Sequence, residues 1–259
     1  MLGAKTFFSF THVTDPALHR AYNEWHQLDH RPENLALPGV AWGERWVRSP
    51  DCAHVSARHG EGLDEVHYVN LYWFREPVAQ SIAEWSALAE RSFHWGRRDD
   101  IRLSARPLMG FFRPIKGYVN PRVLVSADVV PLRPNRGVYV LVTRVDEPRS
   151  SDAELLFRWY DRERIPAMLR CRGAVGAWSF ASESTFETHL DLAGGEMPAS
   201  TRIVVVWLDD DPLEFARELD ALAAKQRVPD GLSEVETTMF AAPLRVIVPW
   251  EWDWFDEER

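Results

Sequence analysis

Apolar positions along the chain alternate between a two-residue and a three-to-four-residue period. Residues 5 to 13, KTFFSFTHV, are β-branched and aromatic like a strand, and Asp15-Pro16 then supplies an N-cap and a proline at the first helical position. Leu18, Tyr22, Trp25 and Leu28 follow at helical steps, which predicts a helix with one apolar stripe. Because Pro32 disfavours helical backbone at Arg31, that helix is expected to end near His30. Residues 40 to 48 and 65 to 74 alternate as strands across the polar loop SPDCAHVSARHGEGLD. A second helix is expected from Pro77 to about His94, and RPLMGFFRPI reads as a fourth strand.

The pattern then repeats. Trp25 and Trp159, Pro32 and Pro166, Gly39 and Gly173, and Trp73 and Trp207 are each 134 residues apart. FFSFTHVTDP parallels YVLVTRVDEP, NEWHQLDHRP parallels FRWYDRERIP, and VNLYWFREP parallels VVVWLDDDP, with second-copy helices near 151 to 164 and 212 to 225. Each copy has the order βαββαβ, an antiparallel four-stranded sheet with both helices on one face. The bare face of each sheet needs a cover, and two sheets packed together supply it. The fold class is therefore α+β, with two ferredoxin-like βαββαβ repeats packing sheet to sheet within one chain. Residues 1–118 form the first repeat, 119–136 a proline-rich linker, 137–248 the second repeat and 249–259 a tryptophan-rich tail.

Composition narrows the partners. Apolar residues make up 46% and charged residues 27% of the 259, as in an ordinary globular protein. A net charge of −9 argues against nucleic acid or an anionic membrane surface, both of which call for a basic face. Cys52 and Cys171 are far apart and suggest neither a disulfide framework nor a thiolate metal site. No long apolar run or leader pattern is visible, so a cytoplasmic location and a small-molecule substrate are expected.

The stretch NEWHQLDHRPENLALPG carries the candidate chemistry. Trp25, Asp29, Pro32 and Gly39 have like residues in the second copy and read as scaffold, whereas His26 and His30 become Tyr160 and Arg164. An imidazole exchanges protons at neutral pH, and Asp29 shares a helical face with both rings, so it can orient one of them. The plainer alternative is a polar helix end favoured by the helix dipole. His-x-x-Asp-His also offers three metal ligands, but no HExxH pattern or second histidine pair completes a site, so neither metal nor cofactor is assigned. Strand HYVNLYWF places Tyr68, Asn70 and Tyr72 on one face, where the second copy has Arg202, Val204 and Val206. A polar pocket is thus expected in the first half alone, with Asn70 and Tyr72 polarising a carbonyl and Trp25, Tyr68 and His12 contacting substrate. Arg97-Arg98 reads as a solvated pair or a carboxylate clamp. The tail VPWEWDWFDEER alternates three tryptophans with acids and suits an apolar surface of its own barrel or of a second copy, which gives a possible homodimer.

With the element order, the motif W-H-x-x-D-H-x-P, echoed by W-Y-x-x-E-x-I-P, resembles the dimeric α/β-barrel superfamily and most closely its EthD-like group, whose signature is a histidine-x-proline at this point. The resemblance spans most of residues 5 to 248. It implies that His30 faces a pocket between sheet and helices as the general base, with Asp29 or His26 as its partner. It also implies a cofactor-independent lyase, dehydratase, isomerase or cyclase acting on a small aromatic or polyketide-like molecule. A non-catalytic ligand-binding or stress-response barrel, and a cofactor-free or metal-dependent monooxygenase, are the other readings it leaves open.

Overall fold

The computed structural model describes residues 2–56, 62–98, 104–183 and 200–256. Eight strands form one antiparallel sheet: β1 Thr6–Val13, β2 Val40–Val47, β3 Tyr68–Phe74, β4 Ser104–Val119, β5 Gly137–Val145, β6 Ala174–Ser182, β7 Thr201–Leu208 and β8 Glu236–Val246. The sheet closes on itself in the order β1-β3-β2-β8-β5-β7-β6-β4. Each half contributes the ferredoxin-like order, β4-β1-β3-β2 and β8-β5-β7-β6. One seam is short, with β2 meeting β8 at Trp46↔Val246 and Val47↔Arg245. The other is long, because β4 runs beyond its own half and pairs with β6 from Phe112↔Ser182 to Val119↔Gly176. Sequence reading stops this strand four residues early, since Lys116 and Gly117 carry no apolar signal while their backbone groups still complete the ladder.

Strand alternation sends one set of side chains into the barrel. Phe8, Phe10, Trp46, Trp73, Phe180 and Trp207 meet there, all at most 1% exposed. Trp46 contacts Trp207 nearly edge-on at 6.5 Å, and Phe8 meets Phe180 at 5.0 Å, so rings from both halves interlock. Each large side chain buried in this way stabilises the fold by roughly 1.5–3 kcal/mol. Trp73 lies on β3 and Trp207 on β7, and Trp25 and Trp159 end the α-helical segments His19–Trp25 and Ser151–Trp159.

The helices cover the outside: α1 His19–Trp25, α2 Arg31–Leu35, α3 Pro50–His54, α4 Val78–His94, α5 Ser151–Trp159, α6 Ile165–Met168 and α7 Pro212–Ala223. Asp15 caps the entry to α1 by accepting from the Ala17 amide. The expected stop at His30 does not occur. A π turn over His26–His30 joins α1 to α2, and Arg31 stays helical and donates to the His26 carbonyl five residues back. Pro32 falls at the start of the following α turn, where a missing N–H is tolerated. The second half has the same device at Tyr160–Arg164, between α5 and α6. The supposed loop 49–64 contains α3, which starts with Pro50 after Ser49, and a 3-10 turn at Leu63–Glu65 delays β3 to Tyr68. Residues 120–136 include a 3-10 turn at Ala127–Leu132. None of the helices among the described residues is long and apolar enough to cross a membrane.

Candidate active site

The π turn decides which residues of the first helical segment face the sheet. Its extra residue rotates the later turns, so Leu28, expected on the apolar stripe, is 44% exposed. Tyr22, Asn23, His26, Gln27 and Asn34 are buried in its place, making a largely polar inward face. Opposite lies the outer face of the first-half sheet, where strand register lines up Arg45, Asn70, Ser9 and Met109 across β2, β3, β1 and β4. The corresponding row of the second half is Ser179, Val204, Leu141 and Ala241.

Arg45 dominates this layer, and nothing in the sequence reading singled it out. It is 0% exposed. One Nη2–H donates to Asn23 Oδ1 at 2.8 Å, and the guanidinium lies 4.5 Å from the Tyr68 ring centre and 4.9 Å from that of Tyr22. Its Nε and Nη1 have no hydrogen-bond partner among the described residues, and no carboxylate there pairs with it. The adjacent Glu44 is taken by Arg31 at 3.2 Å. Around Arg45, the Asn70 Oδ1, Tyr22 hydroxyl and His26 Nδ1 are likewise buried without partners among the described residues, while the Tyr72 hydroxyl lies near the Asn34 side chain. Buried polar atoms are normally satisfied, so a concentration of orphaned ones marks a place for water or a polar ligand.

His30 sits at the margin of this layer. Its ring stacks on Trp25 at 4.8 Å and 11°, with the Asn34 amide at 3.2 Å from Nε2 and Arg98 Nη2 at 3.5 Å from Nδ1. Burial, and then the guanidiniums of Arg98, Arg106 and Arg45, hold its pKa well below the ordinary histidine value. Burial and Arg45 do the same to His26, whose ring meets His30 edge-on at 5.0 Å. Both imidazoles are therefore neutral at pH 7. Tyr72 is pushed up to about 12 by burial, so its phenol stays a donor. Its ring packs against Gly43, its partner on β2, where an added Cβ would come within 2.4 Å of the ring.

Two expected members fall elsewhere. Asp29 forms an ion pair with Arg97, which also holds Glu33 at 2.8 Å, and so points away from both imidazoles. The π turn causes this, because it separates position 29 from the inward face that 26 and 30 share. His12 lies at the far end of β1, 3.3 Å from Glu65 and beside the His67 ring at 5.2 Å. Strand alternation puts it on the face of β1 opposite to Ser9, and so off the row of Ser9 and Asn70. Trp25 touches His30 and donates its indole N–H to the Arg97 carbonyl. Tyr68 shares its hydroxyl with His19 Nδ1 and Asn23 Nδ2, each at 2.8 Å. The Arg97-Arg98 pair divides its work, with Arg97 bound to surface acids and Arg98 buried beside His30, burial drawing its pKa down to about 10. Among the described residues no cluster of three or more histidine, cysteine or acidic side chains is placed to hold a metal ion.

The tail packs on its own barrel. Trp252 is buried with Val13, Tyr22 and Val47, and Phe255 stacks on His19 at 3.9 Å, beside His67. Burial lowers His19 to about 4 and His67 to about 3. With His26 and His30 also depressed, the unfolded chain takes up protons near pH 6.5 that the native chain refuses, so this contribution is complete above that pH and is lost as the pH falls. Each such histidine costs up to about 1.4 kcal/mol of stability per pH unit below about 6.5. Urea midpoints should drop clearly between about pH 7.5 and about pH 5, and an unchanged midpoint would contradict these burial states.

The second half departs from expectation too. A cavity of about 300 Å³ lies there, lined by Arg113, Tyr160, Asp161, Arg202 and Glu236 together with apolar side chains. The expectation of a polar pocket in the first half alone is thus corrected, since this cavity belongs to the second half and the β4 extension. Comparison of β3 with β7 missed it because Arg113 comes from the extension of β4 across the seam.

No family model and no curated protein matches the chain by sequence. Among solved structures, it is similar to a candidate monooxygenase of Fusobacterium nucleatum subsp. nucleatum, with a TM-score of 0.52 and 7% identity over 96% of this chain and 94% of that one. An anthrone oxidase-like protein superposes with a TM-score of 0.50 and 9% identity over 95% of this chain and 92% of that one. At such identities the likeness concerns the fold alone, here a closed eight-stranded antiparallel barrel with helices on its outside.

Proposed function

We propose that the protein is a cofactor-independent acid–base enzyme acting on a small anionic carbonyl compound, aromatic or polyketide-like in build. The observation that carries this is Arg45, a wholly buried guanidinium with two unpaired N–H positions in the same layer as two neutral imidazoles. A substrate anion paired with the buried arginines offsets the positive field that depresses His30, so the imidazole becomes more basic when substrate is bound. His30 takes a proton from the carbon next to the carbonyl, the C–H electron pair becomes the C=C bond, and the carbonyl π pair moves onto the oxygen. Arg45, Asn70 and Tyr72 hold the resulting enolate, and return of the proton at another atom, or loss of a β-leaving group, completes an isomerase or lyase reaction. The same reading makes the chain an internal duplication with EthD-like character, supported by the shared offset and the paired π turns.

An oxygenase reading draws on the names of the two neighbours, since an enolate is also the species that reacts with oxygen in a cofactor-free site. One experiment separates the classes. The full chain is incubated in D2O with a panel of aryl β-keto acids and phenolic ketones, with NMR of the α-carbon and an oxygen electrode in parallel. Deuterium entry without oxygen uptake is expected. Coupled oxygen uptake would favour the oxygenase, and tight binding without exchange would leave a ligand-binding barrel.

A further inference from the structure

The cavity of the second half has a chemistry of its own. Strand register places Arg113 of β4 and Arg202 of β7 on either side of Ala181 in β6, so one small side chain separates two guanidiniums on the same outer face. With neighbouring strands about 4.8 Å apart, the two Cα atoms are roughly 10 Å from each other, a span two arginines close readily around an anion. Neither has an ion-pair or hydrogen-bond partner among the described residues. Arg202 is held with its guanidinium carbon 4.0 Å from the centre of the Phe157 ring, which fixes the plane of its fork. Burial and then the charge of Arg113 lower its pKa, which accords with two like charges sharing a site.

The acids of the cavity are already engaged. Asp161 accepts from the Tyr118 hydroxyl and lies 3.3 Å from Lys116 Nζ, and Glu236 accepts from the Tyr160 hydroxyl at 2.7 Å. The two arginines are what remains unbalanced. Leu141, Ile165 and Val204 supply an apolar wall beyond them. The volume, about 300 Å³, is near twice that of an engineered cavity of about 150 Å³ that accepts benzene.

We propose that this cavity is a second ligand site, separate from the Arg45 layer, and that it binds an aryl carboxylate of one or two rings with the carboxylate between Arg113 and Arg202. Such a site would bind its ligand whether or not the Arg45 layer is catalytic. Ala181 lies between the two arginines in the sheet register, outside the wall of the cavity itself, and a larger side chain there would reach between the guanidiniums.

Titration of the full-length protein with 2-naphthoate, followed by calorimetry, tests the assignment. Saturable binding is expected, and in an Arg45→Met background one naphthoate per chain should remain. Arg113→Met and Arg202→Met, made separately in that background, should each raise Kd at least about tenfold, because each removes one half of a charged clamp. Ala181→Leu should abolish binding, while the uncharged amide of the same ring system should bind weakly and respond to neither arginine change. Circular dichroism and a thermal melt check each fold. Should Arg202→Met fail to fold for want of its Phe157 contact, the exposed Arg113 still gives the answer. The proposal is overturned by loss of all naphthoate binding in the Arg45→Met background, by an unchanged Kd in folded Arg113→Met, or by equal affinity for the amide.

Discussion

Arg45→Met is expected to keep the barrel folded and to remove turnover. The stability side is a balance of similar magnitudes. Methionine gives up two cation–π contacts, about 0.5–2 kcal/mol each, and a charged hydrogen bond to Asn23 of about 1.5–3 kcal/mol. In return it relieves the desolvation of a buried charge, itself several kcal/mol. The unfolding free energy should therefore stay within about 2 kcal/mol of wild type. Activity has no such offset, because a ligand anion that has left water loses the wholly buried fork that faces it. Truncating one partner of a buried charged pair costs about 2–5 kcal/mol, or roughly 30- to 5,000-fold in kcat/KM. Arg45→Lys should recover little, since a single ammonium cannot reproduce the planar fork. Urea melts and kcat/KM on the same preparations decide the matter, and severe destabilisation with intact turnover in the surviving fraction would make Arg45 a scaffold residue.

That residue marks the boundary of what the sequence makes legible. The duplicated order, the strand–helix alternation and the two tryptophan pairs are periodic signals, and backbone geometry converts such signals directly into elements. Arg45, within VAWGERWV, carries a different sort of information. It neighbours Glu44 and alternates with Trp46 like any solvent-facing strand position, and its burial depends on register with Asn70 and on a helix that continues past Pro32. The π turn lies beyond sequence periodicity for a related reason. A 3.6-residue stripe through Leu18, Tyr22, Trp25 and Leu28 assumes uniform winding, and one extra residue per turn exchanges Leu28 for His26 and Gln27 on the inner face. His26 and His30 were still legible, because loss of both imidazoles in the second copy distinguishes them from Trp25 and Pro32 without any geometry. Asp29 misled because uniform helical winding puts it on the face of both rings, whereas its retention as Glu163 had pointed to a scaffold role, and it serves a surface ion pair. The second cavity needed the cross-seam pairing of β4 with β6, a contact between segments about 68 residues apart that neither copy announces alone.

His30→Gln is expected to lower kcat by roughly 100- to 10,000-fold while leaving the fold intact, the range characteristic of a lost general base. Glutamine fills much the same space against Trp25 and can still meet the Asn34 amide, so packing changes little. It cannot accept a proton. The pH profile gives a signature that lost packing would not produce. Burial and the surrounding arginines hold His30 below its usual pKa, so in the free enzyme the imidazole is neutral and competent at pH 7. The acid limb of kcat/KM should therefore fall only below pH 6.5, while that of kcat, reporting the substrate-bound site where an anion offsets the arginines, should lie at higher pH. In His30→Gln the residual rate should lose the kcat limb. Asp29→Asn, which removes only a surface ion pair worth about 0–1 kcal/mol, should retain both limbs and near-normal rates. If His30→Gln retains wild-type turnover and profile, the proton acceptor is not His30, and His26, edge-on to it with Nδ1 unpaired among the described residues, becomes the base to test next.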